Sequence, residues 1–177
     1  MEKNVSVFNT ALRYGLIGGL ILILWTLFTI VSMDRGGVLA SSLGLLISIA
    51  VTVGISFSVI KFHRDQELSG FISFSKAFVI SILAIVIAGA ITSAFSVVDL
   101  TIINPDYYES AREDMRFQYE DMGMDDEAIE MAMKVMTFIQ SPVIMFFMGI
   151  LSFAFFGAII SLITSLVLKR DEPQVLL

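Results

Sequence analysis

Asp99–Ser141 reads DLTIINPDYYESAREDMRFQYEDMGMDDEAIEMAMKVMTFIQS and is the only long polar run in the chain. It holds eleven acids (Asp99, Asp106, Glu109, Glu113, Asp114, Glu120, Asp121, Asp125, Asp126, Glu127 and Glu130) against Arg112, Arg116 and Lys134. The local charge is therefore −8 in a chain whose net charge is −6. Uncharged apolar runs lie on both sides of it, Ala77–Val98 before and Thr137–Leu168 after. Carboxylates need water and hydrocarbon offers none, so this pattern predicts an acidic arm held outside a bundle of membrane helices.

The arm itself carries helix signals. Asn104-Pro105 predicts an N-cap and a first turn, with Asp106 and Glu109 where a helix N-terminus favours negative charge. Tyr108, Ala111, Met115, Tyr119 and Met122 recur at three-four spacing and so share one helix face. Gly123 predicts a stop and Asp125 a new N-cap, after which Ile129, Ala132, Met136 and Ile139 share a second face. The expectation is an acidic hairpin of two amphipathic helices over 99–141. Eight of the ten methionines fall between Met115 and Met148, which suits an adaptable contact surface. Copper(I) ligation by these thioethers is disfavoured because residues two apart on a helix diverge and no Cys or His assists. The acids lack the Asp/Asn/Gly loop that Ca²⁺ requires.

Outward from the arm, the chain reads as four spans. Tyr14–Met33 is uncharged for twenty residues, about 30 Å of helix. It is longer than a signal-peptide core, no small-x-small cleavage site follows, and it is kept as the first span. Met33–Gly37 predicts a tight turn, and Gly36–Ile60 the second span. The third and fourth spans are expected at 77–98 and 142–168, Ser141-Pro142 supplying the cap of the last. The fold class is thus all-α: one integral membrane domain over 1–177, with spans at about 14–33, 36–60, 77–98 and 142–168.

Composition agrees and narrows the function. The chain is 56% hydrophobic with a mean hydropathy of +0.87, and its 16% of charged residues is well under the roughly 25% of soluble domains. Without cysteine there is no disulfide or thiolate chemistry, and one histidine leaves no His-rich metal centre. An acidic net charge argues against nucleic acid. Lys3, Arg13, Lys61, Arg64, Lys76, Lys169 and Arg170 lie on one side of the expected topology, and Arg35, Arg112, Arg116 and Lys134 on the other. Seven against four favours cytoplasmic N- and C-termini and an extracytoplasmic arm, in an inner membrane.

Packing is expected from small residues. Gly15 and Gly19 are spaced as GxxxG; Ala40, Gly44, Ser48, Thr52 and Ser56 are four apart, as are Ala84, Ala88, Thr92 and Ser96, and also Gly157, Ser161 and Ser165. Such rows form ridges that let helices approach closely. The competing reading makes the hydroxyls of Ser48, Thr52, Ser56, Thr92 and Ser96 a polar pathway, although a hydroxyl in a span can bond its own backbone. His63, in Lys61–Asp65, is expected as an exposed loop residue, with pH sensing as the sharper alternative. Asp99 is expected as a boundary charge reaching water. No apolar run holds an acid or base at mid-depth, and there is no phosphate loop, HExxH or GxSxG. No enzyme, cofactor or metal is expected.

Several stretches resemble a known family. They are Arg13-Tyr14-Gly15-Leu16-Ile17-x-Gly19; Arg64-Asp65 followed by Gly70-x-Ile72-Ser73-Phe74-x-Lys76-Ala77-Phe78; Asn104-Pro105-Asp106-Tyr107; Ser141-Pro142; and Gly157-x-Ile159-Ile160-Ser161-Leu162-Ile163, ending in Leu168-Lys169-Arg170. Together they resemble the bacterial membrane proteins grouped as "domain of unknown function, number forty-one ninety-nine". The resemblance implies four membrane helices with a helical arm between the third and fourth. It implies no activity, and it makes the 64–78 loop the first functional suspect. The expected role is a non-enzymatic accessory or interaction subunit. Its contact residues would be Arg64, Asp65, Gly70, Phe74 and Lys76 in the loop and Tyr108, Met115, Tyr119 and Met122 in the arm. Its partners would be the bilayer and another membrane protein or a second copy. A small transporter or channel and an ion or pH sensor stand as alternatives.

Overall fold

The computed structural model describes residues 6–32 and 38–171. The expected Met33–Gly37 turn, Lys3 and the end of the C-terminal tail lie outside the described residues, as does the side chain of Ala40. Among the described residues six α-helices follow in order: α1 Val7–Ser32, α2 Val38–Phe62, α3 Phe74–Val98, α4 Pro105–Asp121, α5 Asp126–Ile139 and α6 Pro142–Leu168. Two five-residue π turns, His63–Glu67 and Asp99–Ile103, extend α2 and α3. The fold is all-α; among the described residues the β-type contact is one antiparallel bridge, Ile72 with Arg170.

Helices α1, α2, α3 and α6 are 25 to 27 residues long. At about 1.5 Å per residue each reaches roughly 38–40 Å, more than the ~30 Å hydrocarbon core. Among the described residues these four are long and apolar enough to cross a membrane. This is a multi-pass membrane protein. Two of the four begin before the apolar runs do: α1 takes in Arg13, and α3 starts at Phe74, ahead of Lys76. Charge marks where hydrocarbon ends, whereas a helix stops only where its backbone is capped or broken.

The chain divides into two compact units. One takes α1, α2, α3 through Thr92 and α6 from Ile150; the other is Ser93–Gly149. In the first, α3 is the central helix. Its Ala77, Ile80, Ala84, Ile85 and Ala88 are fully buried, packed with Ala11, Ile55, Val59 and Ile60. The approach is close enough that a Cβ on Gly15 would sit 2.7 Å from the Ala84 carbonyl oxygen, and one on Gly19 3.0 Å from Ile91 Cβ. On the other flank, a Cβ on Gly89 would sit 2.4 Å from Phe153 Cβ, and one on Gly157 2.5 Å from Ile85 Cγ2. Gly44 differs: its added Cβ would meet only Trp25 Nε1, at 3.8 Å.

In the second unit α4 and α5 pack on each other. Gly123, at φ +74°, ends α4, and the Met124 N–H donates to the Tyr119 carbonyl at 3.1 Å. Asp125 then caps α5, its Oδ1 accepting from the Ala128 N–H at 2.7 Å. Pro105 opens α4, but Asn104 makes no side-chain cap.

Candidate functional site

The loop between α2 and α3 is built around buried polar groups. A π turn inserts an extra residue and re-aims the side chains it carries, and such turns often mark functional sites. Here it turns His63 inward, where it is 2% exposed. The exposed-loop expectation for His63 is therefore corrected. Its Nδ1 donates to Glu67 Oε2, one turn on. Thr10 Oγ1 of α1 donates to the same carboxylate, 3.0 Å from each oxygen. Thr10 is buried as well. Glu67 thus accepts from two buried donors on two elements, which is how a carboxylate is held away from water.

Arg64 and Asp65 form the outer part of the loop. Arg64 Nη1 donates to the Leu168 carbonyl at 3.1 Å, satisfying one of the orphan acceptors at the C-terminus of α6. Its Nε and Nη2 donate to the two Asp65 oxygens at 2.7 and 3.2 Å. The Gly70 N–H donates to the Arg64 carbonyl at 2.8 Å, and Gly70 takes φ +93°. Ile72 and Arg170 exchange both backbone bonds at 2.9 Å. The Arg170 guanidinium lies 5.8 Å above the Phe71 ring. Phe74 stacks on Phe78 at 6.1 Å, and Lys76 is exposed. Ser73, Lys76, Arg170 and Asp171 line a cleft of about 320 Å³. The structure thus sets Arg64, Asp65 and Gly70 in the loop and Phe74 and Lys76 in the first turn of α3, and it locks the loop onto the end of α6.

Deeper in the same unit, hydroxyls from three helices meet. Ser81 of α3 is 2.6 Å from Ser56 of α2 and 2.7 Å from Ser161 of α6, and Ser56 also bonds Thr164. Ser56, Ser81 and Ser161 are fully buried. Thr52 and Thr92 instead donate to their own helices, to the Ser48 carbonyl at 2.7 Å and the Ala88 carbonyl at 2.9 Å. Ser48 and Thr52 border an apolar groove between α2 and α6 of about 580 Å³.

The second unit holds a separate cluster. Asp99 is 2% exposed, so its expectation as a water-reaching charge is corrected. Its carboxylate accepts from Asn104 Nδ2 at 2.6 Å and Tyr108 Oη at 3.2 Å. This explains why Asn104 does not cap α4: the buried carboxylate claims its side chain. Tyr108, Ala111, Met115 and Tyr119 are half-buried on one face, whereas Met122, at the C-cap of α4, is 67% exposed. Its N–H still donates to the Gln118 carbonyl at 3.0 Å, so Met122 keeps the helical register and ends the stripe uncovered.

The surface of α4 carries a feature that pattern reading passed over. Phe117 is 62% exposed. Its helix-surface neighbours three and four residues away are Glu113, Asp114, Glu120 and Asp121, so an aromatic ring is flanked by four carboxylates, of which Glu120 pairs with Arg116 at 3.1 Å. The spacing was available in the sequence. It is missed when only the core-facing stripe is sought. Lower in the arm, the Lys134 ammonium, 2.9 Å from Glu130, holds that carboxyl below its ordinary value.

The chain belongs to the family described as Protein of unknown function (DUF4199), whose model matches residues 13–170. The match runs from Arg13 in α1 through Arg170 beside the loop, so it takes in His63, Glu67 and the Asp99 cluster but begins after Thr10. No curated protein and no solved structure matches the chain.

Proposed function

We propose that this family member is a non-enzymatic accessory subunit of a membrane assembly, acting as one membrane domain in a bacterial cytoplasmic membrane. Both termini are cytoplasmic and the α4–α5 arm is extracytoplasmic, the sense favoured by seven basic residues against four. The observation that carries the reading is Phe117. A large ring held in water and flanked by four carboxylates has no folding role to explain it, and it has the form of an interface anchor with a charged rim. The partner is a membrane protein presenting an apolar socket edged by lysine or arginine. Tyr108, Met115 and Tyr119 face inward and support the arm, while Met122 and Phe117 offer contact.

A photo-cross-linker at position 117, followed by gentle extraction from the native membrane, should trap one stoichiometric protein. Phe117→Ala should weaken that complex by about 30-fold, the scale of an interface hot spot. Neutralising Glu113, Asp114, Glu120 and Asp121 together should slow association and flatten its salt dependence. A chain that emerges alone, with no adduct at 117, would sink the reading. Orientation has its own test, because the chain has no cysteine. Glu113→Cys should react with an impermeant maleimide on intact cells, and Gln66→Cys only after lysis.

A further inference from the structure

Helix α5 has a second apolar face. Ile129, Ala132, Met133 and Met136 turn inward, with Ile129 buried. Met131, Val135, Phe138 and Ile139 turn outward and are all exposed, Phe138 at 65%. Steps of four and three place Met131, Val135 and Phe138 in one stripe along the helix. Val143 and Phe147, in the first turns of α6, are exposed too. A stripe of this size left in water is costly, at about 25 cal/mol per Å² of apolar surface.

We infer that the C-terminal half of α5 lies in the lipid–water interface, with Met131, Val135, Phe138 and Ile139 buried at the edge of the acyl chains. Three observations select lipid over protein as the occupant. The first is tether length. Ile139 is three residues from Pro142, where a membrane-spanning helix starts, so the end of α5 is within about 11 Å of that entry point. Interfacial helices sit about 5–10 Å into the headgroup boundary, which is the same scale. The second is the charge gradient along the helix. Asp126, Glu127 and Glu130 occupy the end far from α6, and Lys134 is the last charge before Lys169. The third is that Lys134 reaches back to Glu130, at 2.9 Å, which takes its ammonium toward the wet end while its stem covers apolar surface. The helix is thus wet at its start and oily at its end, as a chain descending into a membrane requires. This inference is independent of the accessory-subunit reading, which rests on α4.

Fluorescence in lipid vesicles tests it on the full chain. The single tryptophan, Trp25, is replaced by phenylalanine, and Phe138→Trp is introduced. Reconstituted into phosphatidylcholine carrying bromine on the acyl chains near the headgroup, this variant should emit to the blue and lose roughly half or more of its emission, as an interfacial indole does. Aqueous iodide should quench it little, and Phe117→Trp in the same background should show the reverse pattern. Water-like emission quenched by iodide would overturn the inference. So would shielding from both quenchers, which would mean that protein covers the face. Should the tryptophan variant fail to fold, Val135→Cys carrying an environment-sensitive probe gives the same reading, with the same two outcomes against it.

Discussion

Gly89→Leu should break the bundle. A Cβ at this position would lie 2.4 Å from Phe153 Cβ and 2.6 Å from Phe153 Cγ. Cβ is the root of the Phe153 side chain, and no rotamer change moves it. Helices α3 and α6 must therefore separate, at the upper end of the ~1–3 kcal/mol typical of overpacking or above it. For a chain of this length that lowers the melting temperature in detergent by roughly 10 °C. Gly44→Leu and Gly54→Leu are the controls. Gly44 has ordinary space and Gly54 meets nothing within 4 Å, so each should melt near wild type. Size-exclusion chromatography after a temperature ramp reads all three. A Gly89→Leu protein that melts with the controls would show that the α3–α6 contact is absent in the membrane protein as it exists.

Glu67→Ala should cost about 3 kcal/mol, because two buried donors, Thr10 Oγ1 and His63 Nδ1, lose their shared acceptor at once. The loss should appear as lower thermal stability and as earlier proteolysis within the 61–76 loop. Glu67→Gln keeps an acceptor oxygen and should recover most of the loss. Glu130→Ala removes a carboxylate from the 2.9 Å pair with Lys134, but that pair is exposed, so the change should leave stability close to wild type. Equal effects at Glu67 and Glu130 would mean that the His63–Glu67–Thr10 cluster is solvated.

The contrast between these residues shows what pattern reading reaches. Gly89 and Gly44 are both glycines within apolar runs, and nothing local separates them. What differs is the neighbour, the Phe153 Cβ at 2.4 Å in one case and only Trp25 Nε1 at 3.8 Å in the other. The small-residue rows point at the right kind of contact without saying which members make it. Ser56 and Thr52 share one hydroxyl row in the sequence, yet Ser56 joins α3 and α6 while Thr52 bonds its own backbone. The choice depends on whether another helix brings a hydroxyl within reach. In the arm, the inward face from Tyr108 to Tyr119 is legible as three-four spacing, whereas the outward Phe117, Val135 and Phe138 fall outside that stripe.

By itself the sequence determined the four spans, the break at Gly123, the cap at Asp125 and the start of α6 at Pro142. Each depends on charge, hydropathy or backbone preference within a few residues, and such preferences act before any long-range contact forms. Only the tertiary structure decided the burial of His63 and Asp99, the bond from Thr10 to Glu67 across 57 positions, and the Ser81–Ser161 link across 80. A π turn re-aims a side chain without a sequence signature of its own. A polar group's burial depends on partners that folding brings from elsewhere in the chain.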